Sequence, residues 1–378
     1  MGKGCSCCKL RRDSLDSDLS DVSSLDTNTS VKWSRSKRMM LWGFIILAAI
    51  LFLAFILIWV IIPISFWLSI AFQRLMVFIY INSPSNPQFD NPGKYGITGV
   101  QNFYITVKEN DTMTKIGAWM ILPEQEKDST LTNVSELLEN SKFDVLLYLH
   151  GVLANRAKPI KQYEVLRQQF LVIAIDHRGY GDSGEGVEMS ETGIVNDHLQ
   201  IYDWVAKHNL KGSVYYWGHS LGTALTCHTV RALKEQHSVV PKGMVLEAPF
   251  TTYAEEILST VIGKMFQWLA YFDSTVIHPL HNNGFRFLST ENILHVDCPI
   301  MVMNAEDDNV IPYTLGQKLA EVASTQRDLV KQGNVTYHLF SKEKGYGHND
   351  CTQDPAVPQY ISEFKKFCEE FAPAKDIV

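Results

Sequence analysis

Cysteine is scarce in this chain: 378 residues hold seven, and three of them (Cys5, Cys7, Cys8) crowd the first eight positions, away from Cys227, Cys298, Cys351 and Cys368. That spacing excludes a disulfide scaffold, and no two C-x-x-C pairs exist to build a zinc site. Positive charge is also short. Lys plus Arg number 34 against 41 Asp plus Glu, a formal net charge of −7, and no basic stripe offsets it, so nucleic acid is excluded as a partner. Internal repeats are absent. With 46% hydrophobic and 20% charged residues, 23 Gly and 14 Pro, the chain is neither collagenous, coiled-coil nor wholly disordered, and it is long enough for one large or two ordinary domains.

Charge is missing altogether from Met39 to Gln73, where LWGFIILAAILFLAFILIWVII is apolar on all sides and longer than the roughly 20 residues that cross a bilayer as a helix. A cleaved signal peptide is the competing reading, but 38 polar residues precede the run and no small-residue cleavage site follows it. Residues 39–73 are therefore expected to be a transmembrane and interfacial segment, ended or kinked by Pro63. Lys32, Arg35, Lys37 and Arg38 precede it and Arg74 alone follows closely, which puts the N-terminus in the cytosol and the rest, type II fashion, on the far side. Three glycosylation sequons on that side, at Asn110, Asn133 and Asn334, agree. Residues 1–38, rich in Ser and Asp, read as a disordered cytosolic tail whose start, MGKGCS, fits a Gly2 myristoylation pattern beside the palmitoylation candidates Cys5, Cys7 and Cys8. Residues 74–95 read as a linker.

From residue 96 to 378 the chain alternates apolar β-type runs with helical stretches, the pattern of an α/β domain around a largely parallel sheet. Runs at 102–107 and 115–123 form an opening antiparallel pair. Continuous apolar runs at 143–151, 170–179, 213–220, 243–250, 299–308 and 335–340 read as buried parallel strands, with helices expected at 195–208, 221–236, 316–325 and 359–371. Residues 251–296 break the alternation and carry many aromatics, as a lid insertion does.

Gly218-His-Ser220-Leu-Gly222 stands between the strand SVYYW and the helix LGTALTCHTV, the strand-turn-helix context of a G-x-S-x-G nucleophile elbow. A serine hydroxyl needs a base, and the base an orienting carboxylate. Asp308, four positions before Pro312 and just past a strand, is the leading candidate for the acid, with neighbouring Asp307 and Glu306 open alternatives. His348, in the loop GYGHND before the last helix, is the expected base; His198, His228 and His338 read as packing or surface residues, and His278-x-x-His281 lacks a third metal ligand. The oxyanion hole is expected from the backbone amides of Leu221 and Val152. Asp176-His-Arg-Gly-Tyr-Gly-Asp-Ser183 reads as a buttress turn that also contains a His177-x4-Asp182 acyltransferase spacing.

Elbow, His-Gly turn, D-x-R-G-x-G-x-S, D-x-x-I-P and G-x-G-H together resemble the α/β-hydrolase superfamily. More narrowly, the tail and single membrane helix with HGVLANRA, GHSLGTAL, NAEDDNVIPYTLGQKLA and GYGHND look like the membrane-anchored lysophosphatidylserine lipases and monoacylglycerol lipases of the α/β-hydrolase domain-containing protein twelve group. The resemblance implies an α/β-hydrolase fold with a lid, a triad at Ser220, Asp308 and His348, no cofactor or metal, and hydrolysis of lysophosphatidylserine, monoacylglycerol or oxidised phosphatidylserine esters. It also implies the endoplasmic-reticulum membrane with a lumenal catalytic domain, the plasma membrane being the alternative. An acyl-protein thioesterase, an acyltransferase and a catalytically silent binding domain are the rival readings. The sequence departs from the group at HGVLANRA, where small residues usually follow the His-Gly pair, and at Asn304, often His.

Overall fold

The computed structural model describes residues 33–371 apart from Glu185 and Asn209; the lipidation candidates Gly2, Cys5, Cys7 and Cys8 lie outside the described residues. Two compact units divide between Val60 and Ile61. In the first, Ser34 caps helix α1 (Arg35–Ile56) by accepting from the Lys37 amide at 3.3 Å. The apolar helical run Arg35–Leu68 has a mean hydropathy of 3.4 over its best window, with none of that window buried. Pro63 does not end it. A widened π-turn at Leu57–Ile61 absorbs the missing amide, and helix α2 (Ile62–Leu68) continues to Ser69, where the backbone turns extended.

The second unit begins with α2 and α3 (Ile70–Phe78). Residues 74–95 are not a free linker, because their apolar side chains have partners: Phe78 is fully buried, edge-on to Phe285 and Phe287 at 5.9 and 6.2 Å, Val77 is buried in the same cluster, and Phe89 is buried in the other, against Trp119 at 6.4 Å. Buried Gln73 ties α3 down by donating to the Phe66 carbonyl at 2.8 Å and accepting from Asn283 at 2.7 Å.

An eight-stranded sheet in the order β1-β2-β4-β3-β5-β6-β7-β8 follows. β1 (Val100–Glu109) and β2 (Thr112–Ile121) form the expected antiparallel hairpin, and β2 also runs antiparallel to β4. The short helix α4 (Val134–Asn140) leads to β3 (Asp144–Leu149), and α5 (Ile160–Leu166) leads to β4 (Phe170–Ile175). Helix α6 (Glu191–Ala206) precedes β5 (Val214–His219), and α7 (Leu221–Ala232) precedes β6 (Gly243–Glu247). The insertion before the next strand holds α8 (Tyr253–Ser259), α9 (Val261–Phe266), α10 (His278–Asn282) and α11 (Ser289–Asn292). Strand β7 (Ile300–Ala305), helices α12 (Tyr313–Gln326) and α13 (Leu329–Gln332), strand β8 (Val335–Phe340) and helix α14 (Val357–Glu370) complete it.

Strands β3 to β7 are apolar at consecutive positions because both faces are covered. One face packs on α6, α7 and α12 through residues such as Leu199, Leu225 and Leu319. The other packs on α5 and α14 through Tyr163, Leu166, Ile361 and Phe364. Burial of each such side chain contributes roughly 2 kcal/mol. The chain leaves β3 for β4 on one side and then crosses to β5 on the other, so the loops after β3 and β5 diverge at a topological switch point, where open α/β sheets hold their sites.

Candidate active site

Ser220 sits at that switch point, between the last residue of β5 and the first of α7, with φ 55° and ψ −121°. Its amide donates to the Glu247 carbonyl of β6 at 3.0 Å, fixing the strained turn from the next strand. The motif's glycines are steric requirements: a Cβ on Gly218 would collide with the Gly222 backbone, and one on Gly222 with the Leu149 carbonyl of β3. The loop after β3 closes equally tightly, since a Cβ on Gly151 would lie 2.8 Å from Ser220 Cβ and 3.2 Å from Oγ. Val152 follows directly. Its amide and that of Leu221 donate no hydrogen bond among the described residues, and Leu221 has no intrahelical acceptor because it opens α7. Leu153, next along this loop, adopts φ 54°.

Of the three acidic neighbours past β7, Asp308 meets the histidine. Its Oδ2 accepts from His348 Nδ1 at 2.7 Å while Oδ1 accepts from the amides of Val310 and Ile311 at 2.8 and 2.9 Å, which leaves the carboxylate one orientation. Asp307 instead accepts from the Gly347 amide at 3.1 Å, and Glu306 from the Lys342 amide at 3.1 Å. The His348 loop is held against the elbow by His219, whose Nε2 donates to the His348 carbonyl at 2.9 Å with the two rings 5.0 Å apart. Burial, with the neighbouring His348 ring next, pushes His219 down to about 3, so it stays neutral. Ser220 Oγ makes no hydrogen bond among the described residues.

The D-x-R-G-x-G-x-S turn is a buttress. Asp176 accepts from both the backbone amide and the guanidinium of Arg156, four residues beyond Val152, and Arg156 also donates to Asp182 at 2.7 Å and to Asn102 at 3.0 Å. Arg156 is wholly buried, with the Phe89 ring 3.4 Å from its guanidinium carbon. His177 and Asp182 do not pair, since Asp182 belongs to Arg156 and to Tyr104 at 2.6 Å. His177 donates through Nε2 to the His150 carbonyl at 2.9 Å and accepts at Nδ1 from His198 at 3.1 Å, which in turn accepts from Thr229 at 3.1 Å. Burial lowers all three of His150, His177 and His198, His150 to about 4, so this neutral ladder orients the loop after β3 without titrating near neutrality.

Sequence reasoning missed Arg156 and the histidine ladder. The one available signal was an arginine inside HGVLANRA, too far along the chain from Asp176 to be paired by spacing. A separate apolar cavity of about 240 Å³ lies between α2, α3 and the insertion, with Phe66, Met76, Ile257 and Phe266 among its walls and Glu256 and Tyr253 as its ionisable side chains.

A sequence profile of the alpha/beta hydrolase fold matches residues 144–298. Among solved structures, the esterase Pf2001 of Pyrococcus furiosus overlays 76% of this chain and 93% of its own at 16% identity, TM-score 0.46. Protein ABHD12B of Homo sapiens is 28% identical over 77% of this chain and 79% of its own length. Lysophosphatidylserine lipase ABHD12 of Xenopus tropicalis is 32% identical over 83% of this chain and 82% of its own, and on that likeness the chain belongs to the ABHD12 family of α/β-hydrolases.

Proposed function

We propose that this protein is a membrane-anchored serine hydrolase that cleaves the acyl ester of lysophospholipids, lysophosphatidylserine first among them, with monoacylglycerols as further substrates. The observation that carries the reading is the His348–Asp308 pair at 2.7 Å, held through His219 against the Ser220 elbow. Ser220 Oγ attacks the ester carbonyl while His348 Nε2 takes its proton, and Asp308 steadies the imidazolium through Nδ1. The amides of Val152 and Leu221 receive the oxyanion. Collapse breaks the ester bond, and the departing glycerol oxygen takes the proton from His348. Water, deprotonated by the same ring, then releases the acyl group from Ser220 as fatty acid.

The run Arg35–Leu68 serves as the anchor, and the apolar cavity beside α2 and α3 receives the acyl chain. The charge bias around that run supports a type II arrangement, the family likeness suggests the endoplasmic-reticulum membrane with a lumenal catalytic domain, and exposed Asn110, Asn133 and Asn334 are open to glycans there. The test is turnover by the full-length protein in detergent micelles of lysophosphatidylserine and monoacylglycerol of one chain length, with and without an alcohol acceptor. Fatty acid as the sole acyl product, lost in Ser220→Ala, supports the reading. An acyl ester of the added alcohol reassigns the protein to the acyltransferases, and failure of a fluorophosphonate to label Ser220 leaves a silent domain.

A further inference from the structure

A second cavity, of about 500 Å³, lies along the loop after β3: Gly151 and Val152 line it beside His219, the neighbour of Ser220, and Lys158, Lys161 and Asp350 supply its charge. Its volume falls in the roughly 300–1,000 Å³ range of ligand pockets. It differs from the cavity by α3 in kind, because three charged side chains stand where the other has mostly apolar walls.

Lys158 is held in place. Its Nζ donates to the Leu153 carbonyl at 2.9 Å, at the end of the oxyanion turn, which leaves two N–H donors for a ligand. Lys161 Nζ lies 3.3 Å from Gln353 Oε1, and Gln353 reaches back to Asp350 through its side-chain amide. Neither lysine pairs with a carboxylate among the described residues, although Asp350 lines the same space. Partial burial lowers Lys158, whose side chain still reaches solvent.

We propose that this cavity binds the polar head of the lysophospholipid, its phosphate and carboxylate on Lys158 and Lys161 and its ammonium on Asp350. The inference rests on the ester-hydrolase reading and adds the residues that choose among its substrates. The charges match: two cations and one anion face two anions and one cation. The ester is then spanned, its acyl chain on the apolar side and its head beyond Val152. A monoacylglycerol carries no phosphate and leaves the lysines unused, so the cavity discriminates by charge.

The experiment compares kcat/KM for lysophosphatidylserine, lysophosphatidylglycerol and monoacylglycerol of one acyl length, using full-length protein in neutral detergent. In Lys158→Gln/Lys161→Gln the ratio of either phospholipid to monoacylglycerol falls about tenfold, mainly through KM, as loss of a charge-assisted contact requires. Lys158→Arg/Lys161→Arg restores it. Asp350→Asn lowers the ratio of lysophosphatidylserine to lysophosphatidylglycerol, since only the former carries an ammonium. An unchanged phospholipid-to-monoacylglycerol ratio in the glutamine pair overturns the head-group site while leaving the hydrolase standing, and so does an equal fall in the arginine pair. Wild-type protein inactive on all three esters overturns the hydrolase reading and the site with it.

Discussion

Asp308 and His348 are 40 positions apart in the chain and 2.7 Å apart at Oδ2 and Nδ1. Strands β7 and β8 end side by side, and the loop after each turns toward the other, so the pair is a product of parallel register. Asp307 and Glu306 leave the same strand end but are engaged by backbone amides. Asp308→Asn is therefore expected to lower kcat by about 10³–10⁴, by losing the correct tautomer of His348, and Asp307→Asn by less than about tenfold. Steady-state rates on one ester, with circular dichroism to confirm folding, decide it. Equal losses would assign the acid wrongly.

Gly151 offers a narrower test. A methyl group at this position meets Ser220 Cβ at 2.8 Å, closer than side chains pack, so the loop or the elbow must shift to admit it. Val152 moves with the loop, taking its amide away from the oxyanion. Gly151→Ala is expected to lower kcat about 10²-fold with a change in Tm of only a few degrees. Rates and a melt on the same preparation check the split, and a collapse in Tm of the kind expected for Gly222→Ala would mean that the glycine serves the fold alone.

Much of this site was legible before any coordinates. The elbow, the acid turn and the final histidine loop each follow an apolar strand, and each carries a short motif whose spacing has a steric or chemical cause. The helices α4 and α5 were not legible, since seven residues are too few for a 3.6-residue period to show. Nor was the join between Arg156 and Asp176, which depends on β3 and β4 lying adjacent and is invisible along the chain. The same holds for His198, read from the sequence as a packing or surface residue, whose bond to His177 crosses from a helix to the turn after β4.

Glu247 carries a pH prediction. It ends β6 fully buried, and burial holds its carboxyl up at about 7 from an ordinary 4.5, against the pull of the Trp217 indole at 3.0 Å and of Thr352. Between those values the folded chain binds a proton that the unfolded chain has released, so stability is full below about pH 4.5 and declines as pH rises to 7. The shift corresponds to roughly 3 kcal/mol at most. Glu247→Gln, which keeps the indole's acceptor, is expected to flatten that decline and to raise Tm above pH 7. Thermal melts from pH 5 to 8 on both proteins measure it; parallel curves would show that Glu247 does not titrate there.

The apolar cavity by α3 predicts chain-length selectivity. Ile257 and Met76 face it from the insertion and from α3, so a tryptophan at either position fills space that an acyl chain would occupy. Ile257→Trp and Met76→Trp are each expected to depress kcat/KM on long-chain monoacylglycerols by about 10–100-fold while a butyrate ester changes little, each excluded methylene weighing on the order of 1 kcal/mol. Uniform loss across chain lengths would instead indicate damage to the packing of Tyr253 on Phe287 at 5.6 Å.

Orientation across the membrane is testable at three exposed side chains. Asn133 caps α4 through Oδ1, which accepts from the amides of Ser135 and Glu136 at 2.9 and 3.2 Å, while Nδ2 makes no bond among the described residues. A glycan joined at Nδ2 leaves that cap intact, so glycosylation and folding do not compete at this site. Asn110, with φ 52° in the β1–β2 hairpin, and Asn334, just before β8, are equally exposed. With the catalytic unit on the lumenal side, the protein made in mammalian cells is expected to shift on gels after glycosidase treatment, and each Asn→Gln substitution removes at most one step of that shift. A wild-type protein that does not shift, in cells that glycosylate a control, argues for the opposite topology. That result would place Ser220 and His348 on the cytosolic face, with the same chemistry acting on a different pool of lipid.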